Sequence, residues 1–73
     1  MRSLGVFSGA DVCRILEGEG FAVVRQRGSH SVMQKKSDDT TITVPVPMHK
    51  ELRVGTLLSI VRQSGVSRSF FEK

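Results

Sequence analysis

The chain has 73 residues, 38% of them hydrophobic and 25% charged, and its eleven Lys/Arg against seven Asp/Glu leave a net charge of +4. That length supports a single domain over residues 1–73 with one small core, and it leaves no room for a second domain or an elaborate buried pocket. The apolar share argues against disorder, and the basic excess points to a polyanionic partner, most often nucleic acid, with a solvated basic face as an equally weighted plainer reading.

In chain order, the first element is signalled by SGAD. Ser8 followed three residues later by Asp11 has the form of a capping box, with Asp in place of the usual Glu. Val12, Ile15 and Leu16 recur at helical spacing until Gly18 and Gly20 stop the pattern, which places a helix at residues 8 to 18. Cys13, the one cysteine, lies within this pattern and reads as a small buried hydrophobe; a lone cysteine excludes an internal disulfide and a Cys-based zinc site.

FAVVRQR is rich in β-branched and aromatic residues and reads as a strand. The next two residues, Gly28 and Ser29, form a hairpin connection in which Gly28 accepts positive φ. HSVMQKK is the second strand, and SDDT is a polar turn whose aspartates can bond their own backbone. TTITVPV alternates, with Ile42, Val44 and Val46 on one face. Pro45 and Pro47 lack ladder donors, so this strand must be an edge or leave the sheet there.

After the connector PMHKEL, Leu57, Leu58, Ile60 and Val61 form an apolar helical stripe, and Gly65 stands where a C-terminal glycine belongs. Ser67 can cap a short terminal turn carrying Phe70 and Phe71, which are expected to cover the core. The result is an α+β domain of order α-β-β-β-α: two layers, with a three-stranded antiparallel sheet and both helices on one face. That is also the element order of the double-stranded-RNA-binding fold, an analogy that carries no function by itself. MRSLGVFSG has no apolar run long enough for a signal peptide, and no segment approaches the roughly 18 apolar residues of a membrane span, so the expected location is the cytoplasm, away from membranes.

Tyr and Trp are absent and all four phenylalanines read as structural, which disfavours recognition through aromatic stacking platforms. No Gly-rich phosphate loop precedes a helix, and Asp38 with Asp39 supplies too few carboxylates for a hard cation, so neither a metal nor a cofactor is expected. His30 and His49 remain. Imidazoles as a class exchange protons near neutral pH, and RNA cleavage needs a proton removed at the 2′-hydroxyl and returned at the leaving 5′-oxygen. It also needs positive charge where the phosphorane gathers negative charge. A basic hairpin with His30 at its tip meets those needs minimally; a hairpin histidine with no chemical role stands as the alternative, and His49 reads first as a structural or solvent-facing side chain, with phosphate binding or a second proton carrier as the functional alternatives.

GFAVVRQRGSHSVMQKK, then TITVPV, then KELRVGTLLSIVRQSGVSRSFF closely resemble the HicA (YcfA-like) family of bacterial toxins, and SGADVCRILEGEGF matches that family's first helix and its exit. The resemblance runs from Ser8 to Phe71. It implies a double-stranded-RNA-binding-like fold and a small mRNA interferase silenced by a HicB antitoxin. It further implies that His30, the His of Gly-Ser-His, is catalytic and that Gly28 and Ser29 form the turn presenting it. Where relatives often carry a His just after Val-Pro-Val, this chain reads PMHKEL, with His49 displaced. On this reading an mRNA substrate is held by Arg25, Arg27, Lys35, Lys36 and Lys50, and His30 acts as general base or acid. The rival readings are a non-catalytic RNA-binding module and an interaction domain whose basic face docks an acidic antitoxin.

Overall fold

The first helix starts where its capping residues dictate. In the computed structural model, which describes residues 3–73, α1 spans Gly9–Gly18 with Ser8 as its N-cap; Met1 and Arg2, the latter part of the charge balance above, lie outside the described residues. The Ser8 hydroxyl accepts from the Asp11 amide at 3.0 Å and the Asp11 carboxylate accepts from the Ser8 amide at 3.0 Å, a complete capping box. Past Gly18 the chain turns back through Gly20, at φ 96°, and the Phe21 amide closes the turn on the Leu16 carbonyl.

Three strands follow: β1 at Ala22–Arg27, β2 at His30–Lys36 and β3 at Thr41–Pro47, in the spatial order β1-β2-β3 with antiparallel pairing. β3 stays in the sheet through Pro47 because it is an edge strand, where a proline's missing donor leaves no ladder bond unmade. The turn between β2 and β3 is closed by the Ser37 amide and hydroxyl, both donating to the Thr40 carbonyl; the aspartates expected to bond the backbone there are simply exposed.

α2 spans Val54–Ser64 and ends at Gly65, whose φ of 71° and amide bond to the Val61 carbonyl make the left-handed cap anticipated for it. Its buried stripe is narrower than expected. Leu57, Ile60 and Ser64 face inward, Val61 is partly buried, and Leu58 lies at the flank, 38% exposed. The chain closes with a 3₁₀ turn at Arg68–Phe71, capped by Ser67. Successive residues in such a turn point about 120° apart, so of the two phenylalanines only Phe71 enters the core, while Phe70 is 49% exposed; the expectation that both cover the core holds for one. Phe71 meets Phe7 edge to face, with ring centres 6.0 Å apart.

The sheet has two unlike faces. Met33 stands opposite Val44 and Ser31 opposite Val46, and these side chains are buried beneath the helices with Val12, Leu16, Leu57 and Ile60. The intervening residues, His30, Val32 and Gln34 on β2 with Thr43 and Pro45 on β3, face the other way. No described helix is long and apolar enough to cross a membrane.

Gly9 joins α1 to the end of β3. A Cβ at that position would collide with the Pro47 carbonyl oxygen, and the Gly9 amide donates to the His49 carbonyl at 2.9 Å. The contact is backbone against backbone, so it cannot yield without moving an element. Gly9→Ala is expected to destabilise the fold by about 1–3 kcal/mol, read from the urea midpoint. A second expectation concerns acid. The hydrogen bonds from the Ser8 backbone and hydroxyl, with Arg14 adding to them, hold the Asp11 carboxyl below the usual carboxylate range. A carboxyl lowered in the fold stabilises when ionised in both states; that contribution declines as pH falls below the ordinary range and vanishes below the lowered value. Asp11→Asn, which keeps an acceptor without the titration, should lower stability at neutral pH and flatten its decline on the acid side.

Candidate active site

The turn Gly28–Ser29 decides which side chains stand opposite one another. Gly28 takes the left-handed conformation at φ 58°, so two residues suffice to reverse the chain. Arg27 is thereby paired with His30 and Arg25 with Val32. Directly opposite residues hold their Cβ atoms about 4.5–5.5 Å apart on one face, so both arginines share the face of His30. Beyond them the register slips between Val23 and Arg25, and Val23 pairs with Met33. This bulge at Val24 lets β1 change the face it presents: Val23 stands on the helix side of the sheet and Arg25, two residues later, on the open side.

On that open side Arg25, Arg27, His30, Val32, Thr43 and Pro45 line a cleft of about 330 Å³. Val32 is 6% exposed yet takes no part in the core cluster beneath the helices, so it forms an apolar floor. Arg25, Arg27 and His30 are exposed at its edge. No carboxylate lines the cleft, and among the described residues neither arginine forms an ion pair; the pairs formed are Arg14–Asp11 and Arg68–Glu72, both elsewhere. Two uncompensated guanidiniums beside an imidazole over an apolar floor make a site for an anionic group.

The hairpin end is held from two sides. The buried Ser31 hydroxyl donates to the Gln26 side-chain oxygen at 2.9 Å, and the Gln26 amide group donates to the Gly28 carbonyl at 3.5 Å. From the other side the Met48 amide donates to the Ser29 carbonyl at 2.7 Å, tying the turn to the exit of β3. His30 therefore starts a strand whose preceding turn is fixed.

The remaining residues that the sequence singled out are spread more widely. Lys35 faces the helix side of the sheet, its ammonium 5.9 Å from the centre of the Phe21 ring. Lys36 shares the open face by alternation but lies at the far end of β2, about 20 Å from His30 at roughly 3.3 Å per residue. His49 and Lys50 are exposed in the connector between β3 and α2 and do not line the cleft. Cys13 is buried, with Sγ 3.9 Å from the Met48 sulfur; burial first, then Glu17, pushes its thiol up, away from nucleophilic duty. Among the described residues no three His, Cys, Asp or Glu side chains come together as a metal would need. Val32, Thr43 and Pro45 escaped the sequence reading, although the Gly28–Ser29 turn, once assigned, already sets Val32 opposite Arg25.

Comparison with known proteins agrees with this architecture. A family model described as the HicA toxin of bacterial toxin-antitoxin systems matches residues 9–66, from the first residue of α1 to just beyond α2. No curated protein and no solved structure matches the chain. With the match spanning both helices and the whole sheet, the chain belongs to the HicA family, the toxin half of a bacterial toxin–antitoxin pair.

Proposed function

We propose that this toxin is an endoribonuclease that cleaves mRNA without a metal, with His30 as its proton carrier and Arg25 and Arg27 as its phosphate holders. The observation that carries the reading is the cleft itself: one imidazole and two unpaired guanidiniums face the same small volume. His30 takes the proton of the 2′-hydroxyl as that oxygen attacks phosphorus. It then returns the proton to the 5′-oxygen as the P–O5′ bond breaks, leaving a 2′,3′-cyclic phosphate and a 5′-hydroxyl. The guanidiniums act on the charge that collects on the non-bridging oxygens between these events, where Arg matches phosphate geometry in two-point contacts.

The cleft offers no second acid or base, so a single imidazole serves both transfers. Lys36 and Lys50 lie where they can hold flanking phosphates rather than the reacting one, and Lys35 contributes charge from the opposite face. A HicB-family antitoxin fits the same surface as the partner: an acidic protein laid over the open face would cover His30 and neutralise both arginines, blocking substrate by bulk and by charge.

Purified His30→Ala should cleave RNA about 10²–10⁴-fold more slowly than the parent chain and fail to arrest growth when expressed. Arg25→Gln and Arg27→Gln should each cost about 10²-fold, while His49→Ala stays within a few-fold of the parent. Cleavage should persist in excess EDTA. Equal cleavage by the parent and His30→Ala would sink the assignment of the histidine. RNA binding with no cleavage by the parent at high protein concentration would make the domain a binding module instead.

A further inference from the structure

We infer that the cleft is also a nucleobase subsite: it seats one unpaired base of a single-stranded RNA over Val32 and against Pro45, with the Thr43 hydroxyl reading the base edge. This rests on the ribonuclease reading and names the substrate form that reading requires.

The open face is organised in three cross-strand rows, set about 7 Å apart along the strands. The first holds Arg27, His30 and Pro47; the second Arg25, Val32 and Pro45; the third Gln34 and Thr43. The first row has the chemistry of a reacting phosphate. The second is different: apart from Arg25 at its edge it offers a floor and a ring with no charge, which serve a phosphate poorly and an aromatic base well. In the third row the Gln34 side-chain amide donates to the Thr43 hydroxyl oxygen at 3.2 Å. With that oxygen accepting from Gln34, the hydroxyl proton is free to donate, and Thr43 at the cleft wall can offer it to a group lying over Val32.

A nucleotide fits these rows in one sense, with its phosphate at the first, its base over the second, and an acceptor on the base edge at the third. At about 330 Å³ the cleft is at the small end of ligand pockets and suits one base. A duplex cannot use it. Bases in A-form RNA are stacked and paired inward, with a major groove too narrow for side chains, so a base enters such a cleft only when it is splayed out of a single strand. The absence of Tyr and Trp does not count against this, because a guanidinium plane also stacks on bases and Arg25 flanks the floor, with Pro45 closing its far side.

The test uses short labelled 2′-O-methyl oligoribonucleotides, which cannot be cleaved, as homopolymers of each base and as annealed duplexes, with binding followed by fluorescence anisotropy. Single strands should bind about tenfold tighter than duplexes, with unequal affinities among the four bases. Thr43→Val should compress that inequality, and Pro45→Ala should weaken all single strands while leaving the salt dependence unchanged. Arg25→Gln should weaken every probe and reduce the salt dependence. Circular dichroism of each variant checks the fold, and either of Thr43→Val or Pro45→Ala suffices if the other fails to fold. Duplexes bound as tightly as single strands, or a base preference untouched by both substitutions, would overturn the subsite. Because the probes are inert, the two readings separate. Base preference without cleavage of ordinary RNA removes the nuclease alone, whereas cleavage without base preference removes the subsite alone.

Discussion

Everything proposed for this protein depends on the register of one hairpin. A two-residue turn through a left-handed glycine sets Arg27 opposite His30 and Arg25 opposite Val32, and because side chains alternate with period two, a slip of one residue would turn the whole set over. The slip does occur, but only beyond Arg25, at Val24. The bulge thus separates two requirements laid on β1. Its hairpin half carries charge on the open face, while Val23 in its first half turns to the helix side opposite Met33, although every residue of β1 stays exposed. The Ser31–Gln26–Gly28 bonds and the Met48 amide on Ser29 then hold the turn at the register the site needs.

The division of the sheet into two faces has an energetic logic for so small a domain. Both helices pack on the same side, so one core serves the described residues, and their buried apolar side chains other than Val32 form one cluster. The other side has no second layer, and Val32, 6% exposed, lies at the bottom of the cleft there. A site placed there can hold uncompensated positive charge without desolvating it, because the guanidiniums are exposed and the apolar floor lies below them. Core packing and the proposed site lie on opposite faces of one strand, with Met33 and Ser31 on the first and Val32 and His30 on the second.

What the sequence made legible were features governed by local rules. The Ser8–Asp11 box, the Gly28 turn, the Gly65 cap and the limits of β2 each depend on a few neighbouring residues, and each stands where local chemistry puts it. The face of the arginines was not legible, because a bulge leaves no mark in composition: FAVVRQR reads as one uninterrupted strand. Lys35 looked like part of a basic run, but alternation sends it over Phe21 and away from its neighbour Lys36. Phe70 and Phe71 are indistinguishable as letters, and only the tight pitch of the closing turn decides which is buried. The cleft wall formed by Thr43 and Pro45 comes from the far edge of the sheet, so no local pattern could have joined it to His30.

The residues just beyond β3 carry more than their exposure suggests. Their backbone receives the Gly9 amide from the first helix and supplies the Met48 amide to the hairpin turn, so three stretches far apart in the chain meet at one knot. Such a junction spans more than half the sequence, a non-local contact whose loop-closure cost favours closing it after the intervening strands have paired. The cleft has the same dependence, since two of its walls belong to β3. A chain still emerging from the ribosome can carry its histidine and both arginines and yet lack the surface on which they converge. The toxin's topology itself thus delays assembly of the site until the sheet is nearly whole.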